Sequence, residues 1–363
     1  MNNIIQENNR LKGRLEFDDH KLLYHLKDVM DWLEGKPIVP LHIDLGPTKN
    51  CNIRCIYCFS EYQPGKDRYL PRDVYVNLIK DAGRLGIKSI AIIGEGEPLM
   101  NKHTPEAIIE GKKAGVDLGL ATNGVLLKKE EMEDILRSLV WIRFNLSASN
   151  PENYKKIHRK KPELFYTVIE NIKKTVEIKK EKNLPVTIGV QTVLIPEILN
   201  DLIDLTKLSK EIGVDYFEIK QWSFNQNNRY KFELDWYTKA NEVLKKAESL
   251  SDKNFKVIVK WNYIKSGGVR SYNKCYALPF LIQVSGDGCV YTCAHFFGEE
   301  RFKYGDLRVQ SLEEILNSER YKTVMNDIIE NYDVHTCPTC CRHENINRFL
   351  WKLVHPPAHV NFI

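Results

Sequence analysis

The chain has 363 residues, 43% of them apolar and 28% charged, which excludes disordered, fibrous and membrane-spanning classes and leaves room for two domains or one large α/β barrel. Fifty-three Lys and Arg against 48 Asp and Glu give a net charge of +5, too small and too dispersed to indicate nucleic acid. The start, Met1 to Arg10, is polar, and no run approaches the roughly 18 apolar residues of a membrane span, so the expected location is cytoplasmic, where clustered cysteines act as metal ligands or catalysts rather than disulfides.

In chain order, residues 1–39 read as a helical extension, with an amphipathic stretch at Lys21 to Gly35. From 40 to 224 the chain alternates strand and helix patterns. The strands are Leu41 to Leu45, Lys88 to Ile93, Asp117 to Ala121, Trp141 to Leu146, Val186 to Leu194 and Tyr216 to Trp222. The helices include Arg72 to Leu85, Pro105 to Ala114, Lys129 to Leu139, Tyr166 to Lys180 and Leu199 to Ile212. Gly86, Gly115 and Gly213 suit helix C-termini just before strands. This alternation predicts an α/β fold, a partial (β/α)6 TIM-like barrel, with its chemistry in loops at the C-terminal strand ends.

Residues 225–274 read as a connection with a helix at Asp235 to Leu250 and a strand at Phe255 to Trp261, after the asparagine-rich stretch Ser223 to Tyr230. Residues 275–363 read as a small α+β domain and tail: strands Phe280 to Val284 and Val290 to Tyr291 about a Ser285–Gly288 turn, then a helix Ser311 to Ile329. The lysine-rich run from Lys173 to Lys182 is a solvated helix face.

The nine cysteines fall into two groups separated by more than 200 residues. Cys51, Cys55 and Cys58 form a C-x3-C-x2-C loop directly after the first strand. Three thiolates in eight residues grip three corners of a cubane iron-sulfur cluster and leave one iron open; the alternative is a structural zinc with a fourth ligand from elsewhere, His42 or His20. Ile93-Gly94-Glu95-Gly96-Glu97-Pro98 ends the second strand, Thr122-Asn123-Gly124 the third, and Ser147 and Ser149 the fourth; Gln191 lies on the fifth.

The cysteine loop, with Tyr57 before its third cysteine, resembles the signature of the radical S-adenosylmethionine (SAM) superfamily, and the resemblance extends over residues 40–224. Glu95 departs from that family's Gly-Gly-Glu-Pro element by replacing its first glycine. The resemblance implies a [4Fe-4S] cluster on Cys51, Cys55 and Cys58 whose open iron is chelated by SAM, with Tyr57 beside the adenine. It further implies Gly96, Glu97, Pro98, Thr122, Asn123, Ser147, Ser149 and Gln191 as SAM-binding positions.

Cys275, Cys293 and the Cys337-Pro-Thr-Cys340 pair resemble the C-terminal SPASM extension of such enzymes, in its shortened twitch form. The resemblance implies one auxiliary [4Fe-4S] cluster on these four residues, two clusters in all, with a four-cysteine zinc as the alternative. Cys289 and Cys341 are then left over, either as small buried apolar residues or as an alternative ligand or a hydrogen-donating thiol. Histidines 335, 343, 355 and 359 are assigned no ligand role.

The implied chemistry is one-electron cleavage of SAM to a 5′-deoxyadenosyl radical that abstracts a substrate hydrogen. A fully ligated auxiliary cluster suits electron acceptance, hence oxidation of a small polar substrate such as a sugar, aminocyclitol or nucleotide-linked alcohol. Lys220, Glu218, Tyr216 and Arg143 are candidate proton acceptors. A flavodoxin or ferredoxin is the expected electron donor; no membrane or nucleic-acid partner is expected. The competing readings are a peptide-modifying maturase or epimerase and, from another class, a metal-stapled RNA-binding protein.

Overall fold

A computed structural model describes residue 15 and residues 19–63, 68–224 and 228–362. Most of the polar start of the chain and residues 225–227 of the asparagine-rich stretch lie outside the described residues. The apolar runs become strands β1 (His42–Leu45), β2 (Ser89–Ile92), β3 (Asp117–Thr122), β4 (Trp141–Asn145), β5 (Thr187–Leu194) and β6 (Tyr216–Gln221). They are joined in sequence as parallel neighbours. Left-handed glycines end two of the connecting helices, at Gly86 with φ 85° and Gly213 with φ 89°, as only a residue without Cβ does cheaply.

The sheet runs beyond the six strands. β7 (Lys256–Val259) adds in parallel to β6, and β8 (Leu281–Val284) adds in parallel to β1 on the opposite side. A hairpin carries β8 into β9 (Cys289–Tyr291) and on to β10 (Lys303–Asp306), giving the order β10-β9-β8-β1-β2-β3-β4-β5-β6-β7. β7 and β10 are both edges, so the barrel is open, and the C-terminal cysteine-bearing hairpin continues the barrel's own sheet. Two pairs across the sheet show how closely it is fitted. Trp141 lies over Gly119 and Tyr216 over Gly189, where an added Cβ would come within 1.9 and 2.1 Å of the ring.

Several elements differ from expectation for local reasons. The expected helix Ser311 to Ile329 is two helices, Leu312–Asn317 and Glu319–Asn331, because Ser318 caps the second by accepting from the Tyr321 N–H. The strand expected to reach Trp261 ends at Val259, and Trp261 opens a short helix. A helix at Pro151–His158 and another at Glu344–Val354 are additional; the first is capped by Asn150, which accepts from the Asn153 N–H. The helix Leu26–Leu33 near one end of the chain and Glu344–Val354 near the other share an apolar cluster of Leu22, Val29, Leu41, Phe280 and Leu350.

Candidate functional site at the C-terminal strand ends

The extra helix Pro151–His158 is what positions the first cysteine loop. Its last carbonyls lack helical partners, and the loop supplies them: Arg54 N–H donates to His158 O at 3.1 Å and Ile56 N–H to Ile157 O at 2.9 Å. The His158 ring accepts from the Ser147 N–H through Nε2 at 3.1 Å, so in its neutral form Nδ1 carries the proton and faces Cys55 Sγ at 3.1 Å. Burial lowers His158 to about 3 and keeps that ring neutral. Two further bonds hold the loop from the other side, Trp222 Nε1 to Tyr57 O at 3.0 Å and Asn228 Nδ2 to Cys58 O at 3.1 Å.

Cys51, Cys55 and Cys58 open onto a cavity of about 1060 Å³ over the strand ends. Tyr57, Gly96, Glu97, Asn123 and Gln191 also line it. Pro98, Thr122, Ser147 and Ser149 do not, and each is held by structural bonds or packing. Pro98 starts a buried turn. Thr122 donates to Glu97 Oε1 at 2.6 Å. Ser147 bridges Tyr57 and Thr192, both at 2.9 Å, and the Ser149 N–H and hydroxyl both donate to Asp201. Glu97 uses both oxygens on Thr122, the Asn123 N–H and the Leu99 N–H, so it braces the Thr-Asn-Gly turn. Gly96 is required by space: a Cβ would lie 2.3 Å from the Asn50 carbonyl oxygen. Glu95 accepts from the Gly286 N–H at 2.8 Å and so ties the second strand's end to the C-terminal hairpin.

In the second cysteine group, Cys341 competes with Cys340 for the place beside Cys275, Cys293 and Cys337. Burial first, and then mutual repulsion with Cys293, Cys337 and Cys275, push the Cys341 thiol well above its ordinary range. Cys341 is therefore within electrostatic reach of those three. Cys340 has φ 59°, a left-handed turn sparsely used by residues other than glycine, and the turn sends the adjacent side chains to different places. Cys340 lines the cavity and donates to the Gln221 carbonyl at 3.4 Å, while Cys341 is buried and does not line it. Cys289 is packed in the core at 3% exposure and is also off the cavity. Asn347 Nδ2 donates to Cys275 Sγ at 3.4 Å, and Arg270 fixes the Pro338 carbonyl at 2.6 Å.

The far wall of the cavity carries charge. Arg143 Nη1 donates to Glu218 at 2.8 Å and Lys260 pairs with the other Glu218 oxygen at 3.4 Å. Burial alone would raise Glu218, but Arg143, Lys260 and Lys220 outweigh it and hold the carboxyl at about 2. That makes Glu218 a poor proton acceptor at neutral pH, and Arg143 is occupied as its partner. Tyr216 opens β6 at its N-terminal end beneath this wall, packed on Gly189 and off the cavity. The Lys220 ammonium lines the cavity and makes no side-chain hydrogen bond or close ion pair among the described residues, with Cys340 and Glu218 as the charges that act on it favourably.

All nine cysteines are unbridged. Burial is the first cause that raises Cys51 and Cys275, to about 11 and about 12, and a buried thiolate is stable only against a compensating cation. Iron supplies it. Among the described residues no three His, Cys, Asp or Glu side chains converge as they would on one ion, whereas each corner of an iron-sulfur cube takes a single sulfur. The donor sets therefore fit clusters. His158 and His295 escaped sequence reasoning: His158 because its partner is 103 residues away, His295 because nothing near Cys293 marks it. His295 lines the cavity, stacks edge-on to Phe59, and is lowered by burial to about 4.

Residues 45–209 match the radical SAM superfamily and residues 275–342 match an iron-sulfur cluster-binding domain, SPASM. The chain is 26% identical over 317 residues to a tungsten-containing aldehyde ferredoxin oxidoreductase cofactor-modifying protein of Pyrococcus furiosus, covering 81% of this chain and 85% of that one. It is 29% identical over 230 residues to a probable GTP 3′,8-cyclase of Methanocaldococcus jannaschii, covering 61% and 71% respectively. Its fold resembles that of Streptococcus suis SuiB bound to S-adenosylmethionine, with a TM-score of 0.65, 17% identity, and 84% and 72% of the two chains covered. No helix among the described residues is long and apolar enough to cross a membrane.

Proposed function

We propose a specific reaction for this chain, which belongs to the radical SAM superfamily and carries a C-terminal SPASM domain: SAM-dependent removal of a hydrogen atom from a small polar substrate, followed by its oxidation. The observation that carries the reading is one cavity lined by Cys51, Cys55 and Cys58 and also by Lys220, Cys340 and Cys293, with Cys275, Cys337 and Cys341 off the cavity on the side of Cys293. When bound, a [4Fe-4S] cluster with SAM at the first group supplies a hydrogen-abstracting 5′-deoxyadenosyl radical, and an auxiliary [4Fe-4S] cluster at the second supplies an electron acceptor.

The chain's own residues do the rest. The His158 ring and the carbonyls of its helix hold the cysteine loop, and Tyr57 and Gln191 present polar atoms over the strand ends. Gly96 lets the Asn50 backbone approach. Glu95 keeps the hairpin docked and so helps close the chamber against water. The account calls for a cytoplasmic protein with a flavodoxin or ferredoxin as electron donor.

A second reading, redox-neutral epimerisation, is favoured by the position of Cys340 in the cavity. There the Cys340 S–H bond breaks, its hydrogen atom forms a C–H bond on the substrate radical, and the thiyl is restored by one proton and one electron from the same donor. Anaerobic turnover with dithionite and SAM tests both. Formation of 5′-deoxyadenosine is expected, with Cys340→Ala leaving product yield intact if the substrate is oxidised and abolishing it if the substrate is epimerised. No 5′-deoxyadenosine with any substrate supports a non-catalytic protein instead.

A further inference from the structure

The wall that faces the first cysteine loop holds more positive charge than it neutralises. Glu218 and Lys220 are two apart on β6 and so lie on one face of the sheet. Arg143 from β4 and Lys260, just past β7, reach the same place, and all four line the cavity. Glu218 has two carboxylate oxygens, one bound to Arg143 and the other to Lys260. Arg143 and Glu218 are 21% and 3% exposed, so this is an interior pair. Three cations thus surround one anion. Asp44, another carboxylate lining the cavity, is engaged by Arg342 at 3.0 Å and His42 at 3.0 Å.

One ammonium on this wall remains unengaged. The Lys220 ammonium makes no side-chain hydrogen bond or close ion pair among the described residues, and the Arg143 guanidinium beside it lines the same cavity. Enclosed cations are kept only where a counter-charge meets them. An ammonium in this state suits either proton abstraction or anion recognition, and its neighbours decide: a guanidinium beside an ammonium makes a positive wall that favours an oxyanion.

We infer that Lys220 Nζ, flanked by the Arg143 guanidinium, forms a subsite for an oxyanion of the substrate, a phosphate or a carboxylate. The inference rests on reading this cavity as the substrate chamber, and it narrows the substrate from polar to anionic. Burial lowers the Lys220 pKa in the unliganded protein, the direction an arriving anion reverses.

The test measures thermal stabilisation of the cluster-reconstituted enzyme, with SAM saturating, by pyrophosphate in one series and succinate in another. Saturable stabilisation is expected from one of them, the phosphate or the carboxylate source. Lys220→Met is expected to weaken it roughly tenfold or more, and Lys129→Met, an exposed control, to leave it unchanged. Unliganded Lys220→Met should melt at or above wild type, since an unpaired buried charge is removed. No saturation with either anion, equal binding by Lys220→Met, or a fall of several degrees in its unliganded melting temperature each overturns the subsite. Formation of 5′-deoxyadenosine by the wild-type enzyme tests the chamber itself, so the two readings fail separately.

Discussion

The two cysteine groups use the same side chain to opposite ends. The first is a short loop of three thiols facing a cavity, pinned by carbonyls of the helix Pro151–His158. The second draws on Cys275 before β8, Cys293 just past β9, and Cys337 and Cys341 ahead of the helix Glu344–Val354, of which Cys341 is buried away from the cavity. Three thiols leave one corner of a cluster open to a small molecule, and four leave none. Proximity in sequence builds the reactive centre, and proximity in space builds the closed one.

The strongest way to break this comparison is on the open side. Cys55→Ala is expected to reduce 5′-deoxyadenosine formation to background while about four irons per chain remain at the closed group, measured by product chromatography and iron analysis on the same sample. On the closed side, Cys341→Ala should lower iron from about eight to about four per chain, and Cys340→Ala should keep about eight. The reverse pattern would restore Cys340 as the ligand.

The smallest effect sharpens the wall between them. Glu218→Gln leaves Arg143 and Lys260 without their shared carboxylate, and breaking such a buried pair costs about 3 kcal/mol, read by denaturant unfolding. The sign with pH follows from a carboxyl held at about 2 against an ordinary 4.5. The unfolded chain binds the extra proton between those values, so stability from Glu218 is full above pH 4.5 and is lost as pH falls towards about 2. The Gln variant should lose that contribution to the slope.

The barrel was legible because strand and helix periods alternate and glycines mark the helix ends. The first cysteine group was legible because its three members and their aromatic neighbour are contiguous. Cys340 and Cys341 were not separable in the sequence: they are adjacent, and a positive φ at Cys340, not residue type, turns one to the cavity and the other inward. Ser147, Ser149 and Thr122 occupy strand ends as expected, yet their hydroxyls are taken by Tyr57, Asp201 and Glu97, partners that sequence spacing does not reveal. The helix Pro151–His158 escaped notice because five of its eight residues are Glu, Asn, Lys or His and its buried residues are few. Tyr216 sits at the wrong end of its strand for chemistry, where its ring instead covers a glycine.

Electron-nuclear double resonance of the anaerobically reduced enzyme with SAM labelled at its amino nitrogen tests the central claim most directly. The account predicts that the label couples magnetically to the cluster held by Cys51, Cys55 and Cys58, and that this coupling disappears in Cys55→Ala. A coupling that persists in Cys55→Ala, or one that appears at the cluster of Cys275, Cys293, Cys337 and Cys341, would contradict it.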